Sequence, residues 1–407
     1  MISRIKGTDD ILPPESAKWR RMLRVFDDLA ERYGYDLAVM PVLESTELFA
    51  RGVGEGTDVV EKQMYTFEDR GGRSVTLRPE FTAGIVRAYL EAGGTGVMKV
   101  AAAGPQFRYE QPQKGRRHQF FQLDLECIGD PTPRADVEII EFCTRLFGDL
   151  GVPEVTVLLN SIGDAADRTS YRDLLQSYLS GVADRLTPDS RRRIDTNPLR
   201  VLDSKEDAAV LGDAPVPLDH LGDEAAAHFD AVRAGLEAAG VSYEIAPRLV
   251  RGLDYYNRTV FEFVSPAFEA AQSSLGGGGR YDPLAELVGS RTAVAGVGVA
   301  LGCERIVAAM PPVTGPRLDL FVALATAERT AAAAAWVRAL RAAGWRVDWV
   351  GGDRSLKAQF KSADRSGASA VAIVGDEWDD GRVRVKRLAT GEEATVEIEE
   401  VTAWMSR

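Results

Sequence analysis

The sequence predicts an α+β domain, built as an antiparallel sheet flanked by helices with a helical insertion, followed by a C-terminal α/β domain. Three observations predict this fold. Residues 1–315 combine hairpin-like strands with amphipathic helices. Within them, residues from about 165 to 240 have helical rather than strand periodicity. After the proline-rich linker at 311–316, strands and helices alternate from 317 to 407, as in a compact α/β unit.

The elements of the first domain follow from the spacing of apolar residues. Trp19 and Phe26 lie on one face of a helix predicted within residues 11–34, and Gly34 is a suitable stop. We next predict a strand at 35–41, a hairpin at 65–77 and a helix at 82–92. A pair of strands around a polar loop is predicted at 97–129. After the insertion, strands are predicted at 242–245 and 258–264, and a glycine run follows at 276–279. A run of alternating small and apolar residues at 295–300 then precedes a helix around Glu304.

The second domain begins with a strand of the buried type and continues with an alanine-rich helix. Its predicted strands are at 319–325, 345–350 and 369–374, and its predicted helices at 327–343 and 356–366. We find no convincing internal repeat.

Composition predicts a globular, cytoplasmic protein. Hydrophobic residues make up 45% of the chain and charged residues 27%, which is ordinary for a folded protein. No apolar stretch has the length of a membrane span or of a signal peptide. Three scattered cysteines favour a reducing compartment over a disulfide framework. The net charge of −12 speaks against non-specific coating of nucleic acid, although it permits local basic surfaces.

Common catalytic motifs are missing from the sequence. It contains no phosphate loop of the G-x-x-x-x-G-K-[ST] type, no H-E-x-x-H metal motif and no G-x-S-x-G nucleophile elbow. The sequence therefore offers none of these signatures of phosphate binding, metal binding or nucleophilic catalysis.

A basic and aromatic segment follows the first strand of the 97–129 pair. Arg108 and Glu110 are expected on one face of that strand, either in a site for a phosphate or carboxylate or as a structural ion pair. Lys114, Arg116 and Arg117 then precede two phenylalanines, a combination that suits phosphate contact and base stacking. The alternative for this loop is a solvated turn.

Polar residues also alternate on the returning strand. Gln122, Asp124 and Glu126 share one face, as the floor of a polar pocket or as a solvent-facing surface. Farther along, Arg251 stands close to a pair of tyrosines at 255 and 256, which alone would be ordinary core aromatics. The glycine run at 276–279 permits close approach to a ligand, or forms a mobile loop.

In order along the chain, these segments resemble the class II aminoacyl-tRNA synthetases and, among them, the histidyl-tRNA synthetase family. Residues 40–44 are similar to motif 1 of that class, 107–126 to motif 2 and 296–305 to motif 3. The most specific match is Arg-Gly-Leu-Asp-Tyr-Tyr at 251–256, which resembles a signature of the histidine enzymes. The region from about 317 resembles the family's anticodon-binding domain.

The resemblance implies a role for each matching position. Arg108 would bind the α-phosphate of ATP, Arg305 the γ-phosphate and Glu110 the adenine side, while Arg251 would stabilise charge at the α-phosphate during attack. The residues implied for histidine are Glu80, Phe81, Thr82, Gln122, Glu126, Tyr255 and Tyr256. Those implied for the tRNA acceptor end are Gln113, Lys114, Arg116 and Arg117. On the C-terminal unit, Lys357, Lys361 and Arg365 have helical spacing and are expected to meet the anticodon stem-loop, or to form a solvated helix face.

The implied activity is that of a histidine–tRNA ligase, with ATP as substrate, Mg²⁺ bridging the phosphates and tRNA(His) as acceptor. A homodimer is implied by motif 1. Four positions depart from the usual pattern, because Phe81 and Asp124 stand where glycine is common, and Tyr109 and Gln111 where histidine and arginine are frequent. The implied selectivity for histidine rests on a polar pocket that would leave buried groups unpaired around an apolar amino acid.

Two alternatives accompany this interpretation. A related protein serves as the histidine-binding regulatory subunit of ATP phosphoribosyltransferase, and by family resemblance it lacks the anticodon-binding domain and tends to lose the arginine of the signature. This chain has Arg251, Arg305 and a C-terminal domain, which favours the enzyme. A class II synthetase for another amino acid is the second alternative, and the segment at 251–256 favours histidine.

Overall fold

The computed structural model describes residues 2–54, 57–109, 117–204, 206–268, 273–313, 318–350 and 354–406. The chain divides into two compact units, Met1–Pro312 and Val313–Arg407. Each unit is described by itself.

Unit 1 contains a large sheet, a small sheet and the helices that cover them. Its strands are β1 (Asp36–Leu37), β2 (Leu43–Ser45), β3 (Tyr65–Glu68), β4 (Ser74–Leu77), β5 (Met98–Phe107), β6 (Gln119–Ile128), β7 (Thr156–Ser161), β8 (Glu244–Ile245), β9 (Asn257–Val264), β10 (Ser274–Arg280) and β11 (Gly296–Gly302). Its helices are α1 (Ser16–Arg32), α2 (Thr46–Val53), α3 (Thr82–Glu91), α4 (Pro133–Leu150), α5 (Ala165–Gly181), α6 (Pro188–Thr196), α7 (Asp223–Ala238), α8 (Leu284–Leu287) and α9 (Cys303–Ala309).

The large sheet has eight strands in the order β1-β5-β6-β11-β10-β9-β7-β8. Neighbours from β5 to β7 are antiparallel, whereas β1 and β8 each add a parallel strand at an edge. The predicted antiparallel sheet flanked by helices is therefore confirmed, with parallel edges. The small sheet joins β2, β4 and β3 and contains the predicted hairpin.

The two faces of β6 differ sharply in chemistry. Leu123, Leu125 and Cys127 point into the main core, together with apolar side chains of α1, α4 and α7. The alternate residues of β6, from Gln122 to Glu126, lie on the opposite face because side chains alternate along a strand. The main core thus fixes the sheet on one side and leaves the other side for the polar residues.

The predicted helical insertion contains α5, α6, several short 3₁₀ turns and α7. The buried carboxylate of Asp207 organises it by accepting hydrogen bonds from the hydroxyl groups of Thr187, Ser190 and Ser204. Helix α7 differs from the rest, because Phe229, Val232 and other apolar residues on it pack into the main core.

Unit 2 is a five-stranded sheet in the order β13-β12-β14-β15-β16. Its elements are β12 (Leu318–Leu324), α10 (Thr330–Ala342), β13 (Val347–Trp349), α11 (Leu356–Ser366), β14 (Ala368–Val374), β15 (Arg382–Arg387), β16 (Glu393–Glu397) and α12 (Val401–Met405). Strands β12, β13 and β14 are parallel, and the hairpin β15–β16 continues the sheet antiparallel. The predicted strand–helix alternation is present, whereas β15, β16 and α12 were not predicted. In neither unit is any described helix both long and apolar enough for a membrane span.

Candidate active site

A cavity of about 460 Å³ opens on the polar face of the large sheet, over β6, β11 and β10. Polar and charged side chains from all parts of unit 1 line it. Those predicted from the sequence are Glu80, Thr82, Arg108, Arg117, Gln122, Arg251, Tyr255, Tyr256 and Arg305. The structure therefore brings together side chains separated by more than two hundred positions in the chain.

Glu126 lies beneath this cavity, in a short chain of hydrogen bonds. The hydroxyl groups of Thr82 and Tyr281 each donate to its carboxylate, both at 2.5 Å. Glu126 is fully buried, and burial raises the pKa of its carboxyl group to about 8. The site thus holds a carboxyl group that changes its protonation close to neutral pH.

Glu80 is fixed at the beginning of α3. Its two carboxylate oxygens accept hydrogen bonds from the backbone N–H groups of Thr82 and Ala83, at 2.6 and 3.0 Å. A carboxylate at a helix N-terminus is stabilised by the free N–H groups there. Burial nevertheless raises the pKa of Glu80 above its ordinary value.

The three polar residues of β6 all lie inside the protein. Gln122 is 9% exposed, Asp124 is 1% exposed and Glu126 is fully buried. The interpretation of this strand as a solvent-facing surface is therefore wrong. Burial and then the charges of Glu126 and Glu80 raise the pKa of Asp124 well above its ordinary value.

Arg251 reaches the cavity from the segment before β9. Its Nη1 donates to Oε1 of Glu262 at 3.0 Å, and the Ser274 hydroxyl donates to the same oxygen at 2.7 Å. A β-carbon at Gly277 would lie 2.9 Å from Nη1 of Arg251. The predicted glycine run is thus strand β10 rather than a mobile loop, and its small residues leave space for this guanidinium group.

Arg108 and Arg305 lie on the cavity wall at the ends of two strands. Arg108 follows β5 directly, because the strand ends at Phe107, and its Nε donates to the carbonyl oxygen of Pro79 at 2.9 Å. Arg305 is on α9, just after β11, and its Nη1 donates to the carbonyl oxygen of Ser274 at 2.5 Å. These backbone contacts hold two cations at fixed positions on the wall.

Aromatic rings close the cavity above Glu126. The rings of Tyr255 and Tyr256 are 4.7 Å apart between centroids, and Tyr281 packs edge-on against Tyr255 at 5.9 Å. All three tyrosines are buried and their pKa values are raised by burial. Tyr281 was not predicted as a site residue, because a tyrosine two positions after a glycine run is not a distinctive signal.

Glu304 is a second lining residue that sequence reasoning missed. It lies next to Arg305 and accepts a hydrogen bond from the backbone N–H of Phe121 at 3.0 Å. Burial raises the pKa of its carboxyl group to about 7.

Phe81 does not line the cavity, although a contact with histidine was expected for it. Its ring is buried in the apolar cluster below α3, and the guanidinium group of Arg78 lies 4.2 Å from its centroid. The side chains of Glu80 and Thr82 line the cavity. The ring of Phe81, between them in the sequence, lies close to Gly104 of β5, where a β-carbon would be 3.3 Å from its Cζ atom. Phe81 is thus not one of the lining residues of the cavity, and its contact with histidine stays a prediction.

The residues predicted to meet the tRNA acceptor end lie mostly in the segment 110–116, which is outside the described residues. This segment includes Glu110, Gln113, Lys114 and Arg116. Arg117 is described, and it borders the cavity while its guanidinium group pairs with Asp9. In unit 2, the three basic residues of α11 are all exposed on its surface: Lys357, Lys361 and Arg365.

Comparison with known proteins gives matches over almost the whole chain. A family model for histidyl-tRNA synthetase matches residues 7–306, and one for an anticodon-binding domain matches 319–407. The chain is 47% identical to a histidine–tRNA ligase of Mycobacterium bovis, over 98% of this chain and 96% of the relative, and 45% identical to that of Rhodococcus erythropolis, over 97% and 95%. The fold is similar to an apo histidyl-tRNA synthetase from S. aureus, with a TM-score of 0.81 at 34% identity over all of both chains.

Proposed function

The chain belongs to the histidyl-tRNA synthetase family, and from that premise we propose that it activates L-histidine with ATP and transfers the histidyl group to tRNA(His). The observation that supports this most directly is the cavity, which four arginines line together with a buried set of carboxyl, amide and tyrosine groups. One side suits phosphate groups and the other suits a small polar amino acid. We assign the chemistry to unit 1 and tRNA anticodon binding to unit 2.

The polar floor of the cavity is the proposed histidine pocket. Glu126 and the tyrosines at 255 and 256 would contact the imidazole ring, while Glu80 and Gln122 would bind the ammonium group. Tyr281 and Thr82 hold the Glu126 carboxylate by hydrogen bonds. Such a pocket rejects apolar amino acids, because they would leave its buried polar groups without partners.

Activation needs positioning and charge stabilisation rather than a side-chain nucleophile. The histidine carboxylate attacks the α-phosphorus of ATP and pyrophosphate leaves, so that negative charge builds up on the phosphoryl oxygens. Arg108 and Arg251 are proposed to bind the α-phosphate during this step, and Arg305 the γ-phosphate. Fixed cations lower the barrier because they need not reorganise as the charge develops.

We propose Mg²⁺ as the metal ion of this reaction, in which it would help to neutralise the charge of the ATP phosphates. Mg²⁺ is commonly held by one or two carboxylates together with substrate phosphates. Glu304, on the cavity wall beside Arg305, would be a suitable oxygen ligand of this type. The described residues contain no group of three or more histidine, cysteine or carboxylate side chains that would form a metal site by themselves.

The tRNA is proposed to meet both units. The loop that contains Gln113, Lys114, Arg116 and Arg117 would contact the acceptor end, which has to bring its terminal ribose to the histidyl-adenylate. The exposed basic face of α11 would contact the anticodon stem-loop, where phosphate contacts position the RNA. Replacing Arg116 should therefore raise the Michaelis constant for tRNA and leave adenylate formation unchanged.

A homodimer is proposed through the region around β1 and β2. Several apolar side chains there are exposed in the single chain, including Leu37 at 70%, Val39 at 85% and Leu43 at 51%. Clusters of exposed apolar residues often mark protein–protein contacts. We also place the protein in the cytoplasm, which agrees with three buried, unpaired cysteines.

The family relationship and the C-terminal unit favour the ligase over the regulatory alternative. The deciding experiment is histidine-dependent exchange between ATP and pyrophosphate, with other amino acids as controls. Exchange with histidine alone supports activation and its specificity, and charging of tRNA(His) then tests the transfer step. Histidine binding without exchange would contradict the proposal and favour a regulatory role.

A further inference from the structure

Asp124 is a buried carboxylate without a hydrogen-bond partner. It lies in the middle of β6, is 1% exposed, and neither of its carboxylate oxygens accepts a hydrogen bond from any described residue. The neighbouring carboxylates differ, since Glu80 and Glu126 each accept two. Burying a charged group without a partner is expensive, so such a group in a folded protein needs an explanation.

The nearest cations do not provide that partner. Arg78 and Arg108 both act to lower the pKa of Asp124, which places them in its neighbourhood. However, Arg78 directs its Nε and Nη1 groups to backbone carbonyl oxygens at 2.6–3.1 Å, and the Nε of Arg108 does the same. Neither arginine makes an ion pair with Asp124 within the part of the chain that the structure describes.

Asp124 is not itself a lining residue of the cavity, but its neighbours on the same sheet face are, which puts it directly beneath the cavity floor. It shares a strand face with Gln122, which lines the cavity, and it stands opposite Ala300 of β11, which also lines it. The Oε1 atom of Gln122 is likewise buried without a partner among the described residues. Two oxygens of Asp124 and one of Gln122 therefore lack a hydrogen-bond donor on the same strand face. A cationic donor suits the carboxylate best.

We propose that Asp124 is a specificity-determining residue of this site and that, together with Gln122, it receives the ammonium group of the amino-acid substrate. The proposal rests on the proposed function and goes beyond it, because the family resemblance suggests glycine at this position. An ammonium group carries three N–H donors and one positive charge, so it satisfies both the missing hydrogen bonds and the missing counter-charge. The added carboxylate therefore increases affinity for ligands that carry the ammonium group.

The test compares two ligands in calorimetric titrations of the full-length protein. Histidinol has the ammonium and imidazole groups but no carboxylate, and imidazolepropionate has the imidazole and carboxylate groups but no ammonium. For Asp124→Asn and Asp124→Gly we expect the affinity for histidinol to fall about tenfold or more, the size of a lost charge-assisted hydrogen bond. The affinity for imidazolepropionate should stay the same or increase. Unchanged histidinol affinity overturns the proposal, and so does an equal loss for both ligands.

A stability measurement separates this role from one in packing. Without ligand, Asp124→Asn should melt at the same temperature as the wild type or higher, because it removes a buried ionisable group that has no hydrogen-bond partner. The matched control is Asp207→Asn, which is 2% exposed but has hydroxyl and N–H donors, and it should melt at a lower temperature. A lower melting temperature for both variants would overturn the proposal.

The experiment also distinguishes failure of this inference from failure of the proposed function. A wild-type protein that neither binds L-histidine nor supports exchange would contradict the proposed function itself. A wild type that does both, with variants that keep full affinity for histidinol, would contradict only the role of Asp124.

Discussion

A β-carbon on Gly298 would lie 1.7 Å from Oε2 of Glu126, so this glycine leaves the space that the carboxylate occupies under the cavity. The two residues are direct neighbours on β11 and β6. Any side chain at 298 must therefore displace Glu126 or separate the strands.

We predict that Gly298→Ala strongly reduces histidine-dependent exchange between ATP and pyrophosphate, by at least about tenfold, because the displaced carboxylate loses its two hydrogen bonds. The matched control is Gly148→Ala on α4, where a β-carbon would meet no atom within 4 Å. This control should keep full activity and gain about 0.5–1 kcal/mol of stability. Full activity of Gly298→Ala would contradict the placement of Glu126 in the site.

Arg251 is predicted to act mainly on the rate of activation. Arg251→Gln should lower kcat for exchange about 100-fold or more, as for the loss of one preorganised donor at a charged transition state. The KM for histidine should change little, because this arginine is assigned to the α-phosphate. Arg248→Gln, an exposed neighbour, is the control and should behave as the wild type. An increase in KM with unchanged kcat would place Arg251 in ground-state binding instead.

The pH dependence of stability should contain a contribution from Glu126. Its pKa in the folded protein is about 8, whereas the ordinary pKa of a glutamate side chain is 4.5. The folded state therefore holds a proton that the unfolded state loses between these values. This contribution is fully present below pH 4.5 and decreases as pH rises to about 8, by up to about 1.4 kcal/mol per pH unit.

The measurement is thermal unfolding of the wild type and Glu126→Gln at several pH values from 5 to 8. We expect the variant to lose less stability than the wild type over this range, since its amide does not titrate. Glu31→Gln, on the exposed side of α1, should follow the wild-type curve. Parallel curves for Glu126→Gln and the wild type would show that this carboxyl group is ionised throughout.

The buried ion pair of Arg280 and Asp136 should be important for stability. Both side chains are fully buried, and Arg280 also donates to the carbonyl oxygens of Asp130 and Thr132, which ties β10 to the beginning of α4. Arg280→Met should lower the free energy of unfolding by about 3–5 kcal/mol, because it leaves a buried carboxylate without its partner. Chemical denaturation measures this loss. Arg73→Met removes the cation of a solvated ion pair on the β3–β4 turn and should leave the free energy of unfolding nearly unchanged.

The basic face of α11 is predicted to bind tRNA. Replacing Lys357, Lys361 and Arg365 together by glutamine should raise the KM for tRNA about tenfold and weaken its dependence on salt. Exchange between ATP and pyrophosphate does not involve tRNA and should be unchanged. Arg20→Gln with Arg24→Gln removes two exposed charges at the same spacing from α1 and serves as the control. Equal effects of both sets of changes would indicate a general charge effect.

Much of the fold could be predicted from local patterns. The helix α11 has the predicted bounds, and the hairpin of β3 and β4 lies where its turn residues indicated. The strands β15 and β16 were not predicted. Val383 and Val385 do alternate with basic residues in β15, but the charged residues of that strand outnumber its apolar ones and weaken the strand pattern.

The site was predictable only where a motif marks it. Local pattern placed Gln122, Asp124 and Glu126 on one face, but their burial depends on strands β10 and β11, more than a hundred residues later in the chain. Tyr281 carries no distinctive local signal, and only the sheet places its hydroxyl group next to Glu126. Phe81 stands inside a motif, yet its ring packs in an apolar cluster and is not among the groups that line the cavity.

The strand order of the large sheet has a consequence for synthesis on the ribosome. Strand β11 is the last strand of unit 1 in the chain, yet it lies between β6 and β10 in the middle of the sheet. In a nascent chain that ends before Gly296, the edges of β6 and β10 that β11 later joins are unpaired. Glu126 on β6 then lacks its neighbouring strand. Histidine and ATP therefore have no complete site until nearly all of unit 1 has emerged, and these ligands cannot assist the earlier steps of folding. Until that moment, protection of the open edges falls to the ribosome and to chaperones.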